Sequence, residues 1–311
     1  MTDGFTLAGY YRVQSRRAAR YSELCGTWLE GRPLLDSMTV NAALAQHPAW
    51  RGRAQVNLRA ARVSFRAGTF ALEPDILYKR EFFSGETMDC DIIDVEKSKR
   101  EWISRRGALA AIFAPSDLAT IDARLGDLDW VIANEYYVHE AGHFVGVDVL
   151  DKYSSGFFTA QGRTLWPLIY AEEFRADLES FDFALRLLPA VDAERIFLYN
   201  LALRFGAHRK GVADGMKVYG LVPYLLFCVL HELGFVSVKR GQLRLASFQP
   251  SDLRAVMAAA AAHAHEQLTA PELTGMTATD LAIYVATYVR RRLDDGERRA
   301  MFAALEGERG R

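Results

Sequence analysis

His139-Glu140-Ala141-Gly142-His143 sets two imidazoles four residues apart with a carboxylate immediately after the first. On a helix, positions i and i+4 share a face, so both rings can reach one point. That is the spacing a single divalent metal asks of two nitrogen ligands. Glu140 then sits beside the metal rather than on it, placed to take a proton from metal-activated water. A bare H-E-x-x-H arises by chance in roughly one chain in a hundred of this length, so a second feature has to sharpen it.

That feature lies downstream, in Glu172-Glu173-Phe174-Arg175-Ala176-Asp177-Leu178-Glu179 within a helical pattern. A catalytic zinc site takes three protein ligands and leaves one position open. Two adjacent glutamates compete for the third place. Glu172 shares a helix face with Arg175, Glu179, Asp182 and Arg186, which reads as a solvated charged stripe. Glu173 aligns with Tyr170, Asp177, Phe181, Ala184 and Leu188, an inward face. Acids on an inward face need partners. A metal for Glu173 and the outer N–H of a ligand imidazole for Asp177 satisfy both. The expected zinc ligands are therefore His139, His143 and Glu173, with Glu140 as general base and Asp177 in support.

The pairing of His139-Glu140-Ala141-Gly142-His143 with Glu173-x-x-x-Asp177 resembles the gluzincin class of metallopeptidases. The wording Glu172-Glu173-Phe174-Arg175-Ala176-Asp177 is similar to the second zinc motif of the dipeptidyl peptidase III family, and also to that of the CaaX-type prenyl endopeptidases, which are membrane proteins. The resemblance implies that the second glutamate of the pair binds zinc and that the acid four residues later supports a histidine. It covers about fifty residues, from Tyr136 to Leu188. The motif here has five residues where the dipeptidyl peptidase III family carries a six-residue H-E-x-x-G-H, and that family's chains are about twice as long.

Hydrolysis also needs a donor for the oxyanion. His208, Arg204, Tyr136 and Tyr137 are the candidates, and His208 is carried forward as the catalytic one; otherwise His208 and Arg204 form a basic helix end at the surface. His231-Glu232-Leu233-Gly234-Phe235 imitates a metal motif but ends in phenylalanine, and reads as a helix end capped by Gly234. His263 and His265 stand two apart, on different faces. His47 precedes Pro48 in a loop and carries no signal. Arg290-Arg291-Arg292 before Asp294-Asp295 reads as a solvated face.

The elements that must position these residues are mostly helical. Helix patterns run from Leu128 to Phe144 and from Trp166 to Leu188, with Pro115-Ser116-Asp117 opening an earlier one. Further helices are expected at 192–209, 214–232, 250–268, 278–293 and 296–306. Residues 1 to about 50 look loosely helical. Alternation through Val56, Leu58, Val63 and Phe65, a turn at Ala67-Gly68 and resumption at Phe70 predict a β-hairpin or small sheet near 54–83. A second hairpin is expected around Arg240-Gly241. The alanine run 258–264 suits close helix packing.

The chain has 311 residues, half of them hydrophobic, which excludes a disordered or disulfide-stapled protein. The formal charge of −1 gives no reason to expect nucleic acid. Cys25, Cys90 and Cys228 read as reduced thiols, and the most apolar run, Leu221 to Leu230, is too short to span a membrane. The composition thus predicts a cytoplasmic protein with no membrane or nucleic-acid partner.

The expected fold is mainly α (α+β): a zincin-like helical catalytic domain over 95–311, preceded by an N-terminal region, 1–94, with helices and the small β element. The expected function is zinc-dependent hydrolysis of a peptide or small amide bond. The alternatives are a dedicated zinc enzyme of small-molecule metabolism (lyase, cyclase or deacylase) and a non-catalytic binding protein on the same fold.

Overall fold

The computed structural model describes residues 4–11, 20–29, 34–50, 55–68, 70–72, 76–77, 91–147, 157–160, 163–207 and 218–305. His208 and Cys90 lie outside them, as does the loop around Ser154-Ser155-Gly156.

Most of the described residues before Leu29 fold as strand, not helix. β1 (Gly4–Tyr11) and β2 (Arg20–Trp28) pair antiparallel, and β2 pairs antiparallel with β3 (Leu58–Ala67). Within the first fifty residues only α1 (Ser37–Leu44) is helical among the described residues, capped by the Asp36 carboxylate on Thr39 N–H. The strand predicted near residue 58 is present, but its partner is not the segment after Gly68. β3 runs unbroken to Ala67, a turn of 3-10 helix follows at Phe70–Leu72, and β3 lies parallel to β5 (Asp91–Asp94). With β4 (Ile76–Leu77), the order is β1-β2-β3-β5-β4. Alternation found the strand, but its neighbours come from distant parts of the chain.

From Val95 onward the described residues are mostly helical, as expected. α2 (Val95–Ile112) and α3 (Pro115–Leu125) lead into α4 (Leu128–His143), whose N-cap Asp127 accepts from the Asp129 and Trp130 amides. After a short ribbon, β6 (Thr159–Ala160) and β7 (Arg163–Thr164), comes α5 (Trp166–Leu187), opened by Pro167 in its first turn. α6 (Ala190–Ala207) and α7 (Val218–Glu232) follow, and Gly234 at φ +70° turns the chain out of α7 into the hairpin β8 (Val236–Lys239) and β9 (Gln242–Leu245). α8 (Pro250–Gln267), a single turn at Pro271–Thr274, α9 (Ala278–Leu293) and α10 (Gly296–Ala304) complete the fold.

α5 is the central element: residues Phe174 to Phe181 are all buried. It packs against α4, α8, α7, α9 and α6. The buried Ala260 and Ala264 of the alanine run belong to the α8 that α5 packs against. One hydrophobic core runs from Leu35 to Leu305 and includes Leu58, Ala60 and Ile93 of the sheet. The sheet is tied to α4 by side chains: Tyr137 O–H donates to Leu58 C=O at 2.8 Å, and Arg62 pairs with Asp129 at 2.7 Å. No described helix is long and apolar enough to cross a membrane.

Candidate metal centre

α4 and α5 approach so closely that one residue type fits at their crossing. A Cβ on Gly142 would lie 2.6 Å from the Ala176 carbonyl oxygen and 2.7 Å from its Cα. The glycine inside the H-E-x-x-H segment therefore lets the Glu172–Asp177 segment of α5 come against the histidine face of α4.

The two imidazoles meet there. His139 Nε2 and His143 Nε2 are 3.2 Å apart. Each ring turns its other nitrogen to a carboxylate: His139 Nδ1 lies 3.0 Å from Asp177 Oδ1, and His143 Nδ1 lies 3.2 Å from Glu172 Oε1. A proton on each Nδ1 leaves lone pairs on both Nε2 atoms facing one another, an arrangement that suits a cation between them. Glu173 Oε2 stands 3.8 Å from His139 Nε2. Ligands at about 2.0–2.1 Å around a tetrahedral zinc are roughly 3.3–3.4 Å apart, which the two imidazole nitrogens match; Glu173 does not group with both histidines and would have to move in to join them. A carboxylate oxygen of Glu140 lies within 4.8 Å of both histidine donor atoms.

Behind the histidines is a buried polar network. Asp177, fully buried, accepts from Arg204 at 2.6 Å and from Asn200 Nδ2 at 3.0 Å. The same Asn200 amide reaches Glu135 Oε1 at 3.0 Å, and Glu135 stands one helical turn before His139. Burial pushes the Glu135 carboxyl pKa up. Burial also opposes ionisation of Asp177, yet Arg204 and His139 outweigh it and hold that carboxyl well below the usual range. For His139, burial acts against the imidazolium, but the bond and charge of Asp177 prevail and raise its pKa to about 9.

Two readings of the sequence need correction. The stripe Glu172, Arg175, Glu179, Asp182, Arg186 is not a solvated face: Arg175 and Glu179 are buried, and Glu172 is tied to His143 and Arg175. α5 is enclosed on all sides from Phe174 to Phe181, and Glu173 is no more buried than Glu172, so the contrast between one inward and one outward face does not separate the two glutamates. Arg204 is likewise no surface residue but is buried against Asp177. Tyr137 is committed to Leu58 and half-buried Tyr136 stays a candidate donor, while His208 falls outside the described residues. Glu135 and Asn200 went unnoticed in the sequence; an acid one turn before the first histidine was the available signal for the former.

By sequence, no family profile and no curated protein matches the chain. Its fold does have solved counterparts. The structure of dipeptidyl-peptidase III from Caldithrix abyssi is 14% identical, with a TM-score of 0.52 over 93% of this chain and 58% of that one. The enzyme of the same name from Corallococcus sp. strain EGB is 16% identical, with a TM-score of 0.54 over 94% of this chain and 56% of that one. The fold is like that of dipeptidyl-peptidase III. The chain spans a little more than half the length of either neighbour, and at these identities the likeness is one of architecture.

Proposed function

We propose that the protein is a zinc-dependent hydrolase acting on a peptide or small amide bond, with His139, His143 and Glu173 as the metal ligands. The observation that carries this reading is the pair of Nε2 atoms 3.2 Å apart, each on a ring whose Nδ1 faces a carboxylate. The fold shared with dipeptidyl-peptidase III supports it. When bound, zinc supplies a Lewis acid that lowers the pKa of water to about 7 and polarises the scissile carbonyl.

The chain's own residues do the rest. Glu140 accepts a proton from the attacking water and returns it to the leaving amine. Asp177 and Glu172 fix the tautomers of His139 and His143, leaving each Nε2 lone pair for the ion. Arg204 and Asn200 hold Asp177 charged and oriented. Glu140 has no use in a purely structural metal site, which favours catalysis over simple binding.

The test is metal content together with turnover. His139→Ala and Glu173→Ala should lose the zinc of this site. Glu172→Ala removes only the carboxylate behind His143, so affinity should fall by roughly 10- to 100-fold without vanishing. Wild type should hydrolyse members of a panel of short peptides and amides while Glu140→Gln should not. Zinc retained at wild-type affinity in His139→Ala or Glu173→Ala would overturn the ligand assignment. Zinc bound with no turnover of any peptide or amide would overturn the substrate class.

A further inference from the structure

Six residues beyond Glu173, about 9 Å along α5, a second set of ligand-type side chains converges. His47 in the turn after α1, Glu179 and Asp182 on α5, and His265 on α8 each bring one donor atom within 4.8 Å of the others. His265 Nε2 lies 2.8 Å from Glu179 Oε2, His47 Nε2 lies 3.4 Å from the same oxygen, and the two Nε2 atoms are 3.2 Å apart. Asp182 Oδ2 is 3.8 Å from His47 Nε2. We propose that these four residues form a second divalent-metal site of the zinc class, structural rather than catalytic.

Three features carry the assignment. Two imidazole nitrogens and two carboxylates are a donor set suited to zinc. The imidazole nitrogens stand 3.2 Å apart, as at the first centre, and here both carboxylates already lie within 4.8 Å of both imidazoles. The side chains of His47 and Glu179 are fully enclosed, while Asp182 and His265 are partly exposed, His265 at 32%, so one edge admits an ion. Four protein donors fill a tetrahedron, as in structural sites; a catalytic site keeps one position open.

The surroundings fit a structural role. Thr269 Oγ1 donates to the other Glu179 oxygen, Oε1, at 3.4 Å, and Arg186 Nε lies 2.8 Å from Asp182 Oδ2. Three residues after His47, Trp50 bridges to Val145 just past the end of α4, and Gly146 N–H donates to Ala49 C=O at 3.0 Å. A metal would pin this turn to α5 and α8 beside the helix end that carries His143. Ala49 N–H donates to His47 Nδ1 at 3.2 Å, which places the proton of the metal-free ring on Nε2. A metal takes that proton's place and the ring gives up the Ala49 contact, so this site should bind more weakly than the first.

The experiment titrates the full chain, stripped by chelation, with zinc followed by elemental analysis after dialysis and with cobalt followed by its visible spectrum. Wild type should take up two equivalents. His139→Ala should take up about one, and so should His265→Gln and Asp182→Asn, two changes at partly accessible positions, with folding checked by circular dichroism. Zinc should raise the melting temperature of His139→Ala but not of His139→Ala/His265→Gln. A single equivalent lost in His139→Ala and kept in His265→Gln and Asp182→Asn would overturn the second site and leave Glu179 as a hydrogen-bonded pin between two imidazoles. A single equivalent with the opposite pattern would support it while overturning the zinc reading of His139 and His143. No uptake by wild type would overturn both.

Discussion

Gly142→Ala tests whether the crossing of α4 and α5 positions the metal centre. The added Cβ would sit 2.6 Å from the Ala176 carbonyl oxygen and 2.7 Å from its Cα. Heavy atoms in contact stay about 3.5 Å apart, so the helices must open by roughly 0.8–0.9 Å. Backbone cannot swing aside as a side-chain tip does. The substitution gains about 1 kcal/mol of helix propensity, while overpacking costs about 1–3 kcal/mol. The net expectation is a loss on the order of 1 kcal/mol, a drop of a few degrees in melting temperature for a chain of this size. The larger effect falls on the metal. Donor positions tolerate only about ±0.2 Å, and Glu173 rides on the helix that moves, so zinc affinity should fall at least about tenfold. Gly107 in α2 supplies the control: a Cβ there meets nothing within 4 Å. Gly107→Ala should be stabilising by about 0.5–1 kcal/mol with zinc affinity unchanged. Chelator competition and thermal melts on both variants decide the matter. If Gly142→Ala binds zinc as wild type does and gains stability as Gly107→Ala does, the close approach does not position the centre.

The other expectations are shorter. Glu140→Gln should keep fold and zinc but lose activity by a factor on the order of a hundred or more, measured on any substrate found in the peptide panel. Asp177→Asn should weaken zinc roughly 10- to 100-fold and, by removing the carboxylate nearest buried Arg204 and leaving Glu173 at 3.9 Å, destabilise by about 1–3 kcal/mol in urea melts; neutrality in both would refute its supporting role. In the metal-free protein the His139 pKa lies near 9, above the ordinary imidazole value. The His139–Asp177 pair therefore stabilises fully below about pH 6.5 and is lost as pH rises toward 9. Zinc binding should correspondingly release a proton across that window, read by calorimetry in buffers of different ionisation enthalpy, and no proton release at pH 7.5 would contradict the shift.

The helical part of the fold was legible because its signals are local. Pro115, Asp127, Pro250 and Asp295 mark starts, Pro189 follows a stop, and helix bounds from Leu128 to Leu293 agree with the sequence pattern to within a few residues. The N-terminal strands were not. β1 and β2 pair with each other as consecutive antiparallel strands, but β2 also pairs with the sequence-distant β3, and a register shift at Cys25/Gly26 makes that pairing irregular. His47 gave no signal for the same reason, since its partners lie on α5 and α8. The motif histidines stood out because helical spacing alone pairs them, and the structure brings their Nε2 atoms to 3.2 Å; the preference for Glu173 over Glu172 rested on a face argument that the structure does not support. Glu172 was misread because a helix-face argument presumes one solvated side, and α5 has none along its middle.

That enclosed middle raises the question of why α5 carries charge at all. Arg175, Asp177 and Glu179 are buried at alternate positions, each compensated by a different partner: Glu172, Arg204 with His139, and His265 with His47. Buried ion pairs rarely stabilise a fold beyond what apolar residues of the same size would give, because desolvation consumes most of the attraction. A helix flanked by Phe174, Phe181 and Phe183, all fully buried, does not need them for its packing. What the charges provide is orientation. Asp177 and Glu172 face the Nδ1 atoms of the two motif histidines, and Glu179 gathers the imidazoles of two distant segments. The polar groups in the core of α5 thus follow the placement of imidazoles more closely than the demands of stability. On the proposed metal sites, ligand geometry rather than burial is what the sequence of this central helix has to satisfy.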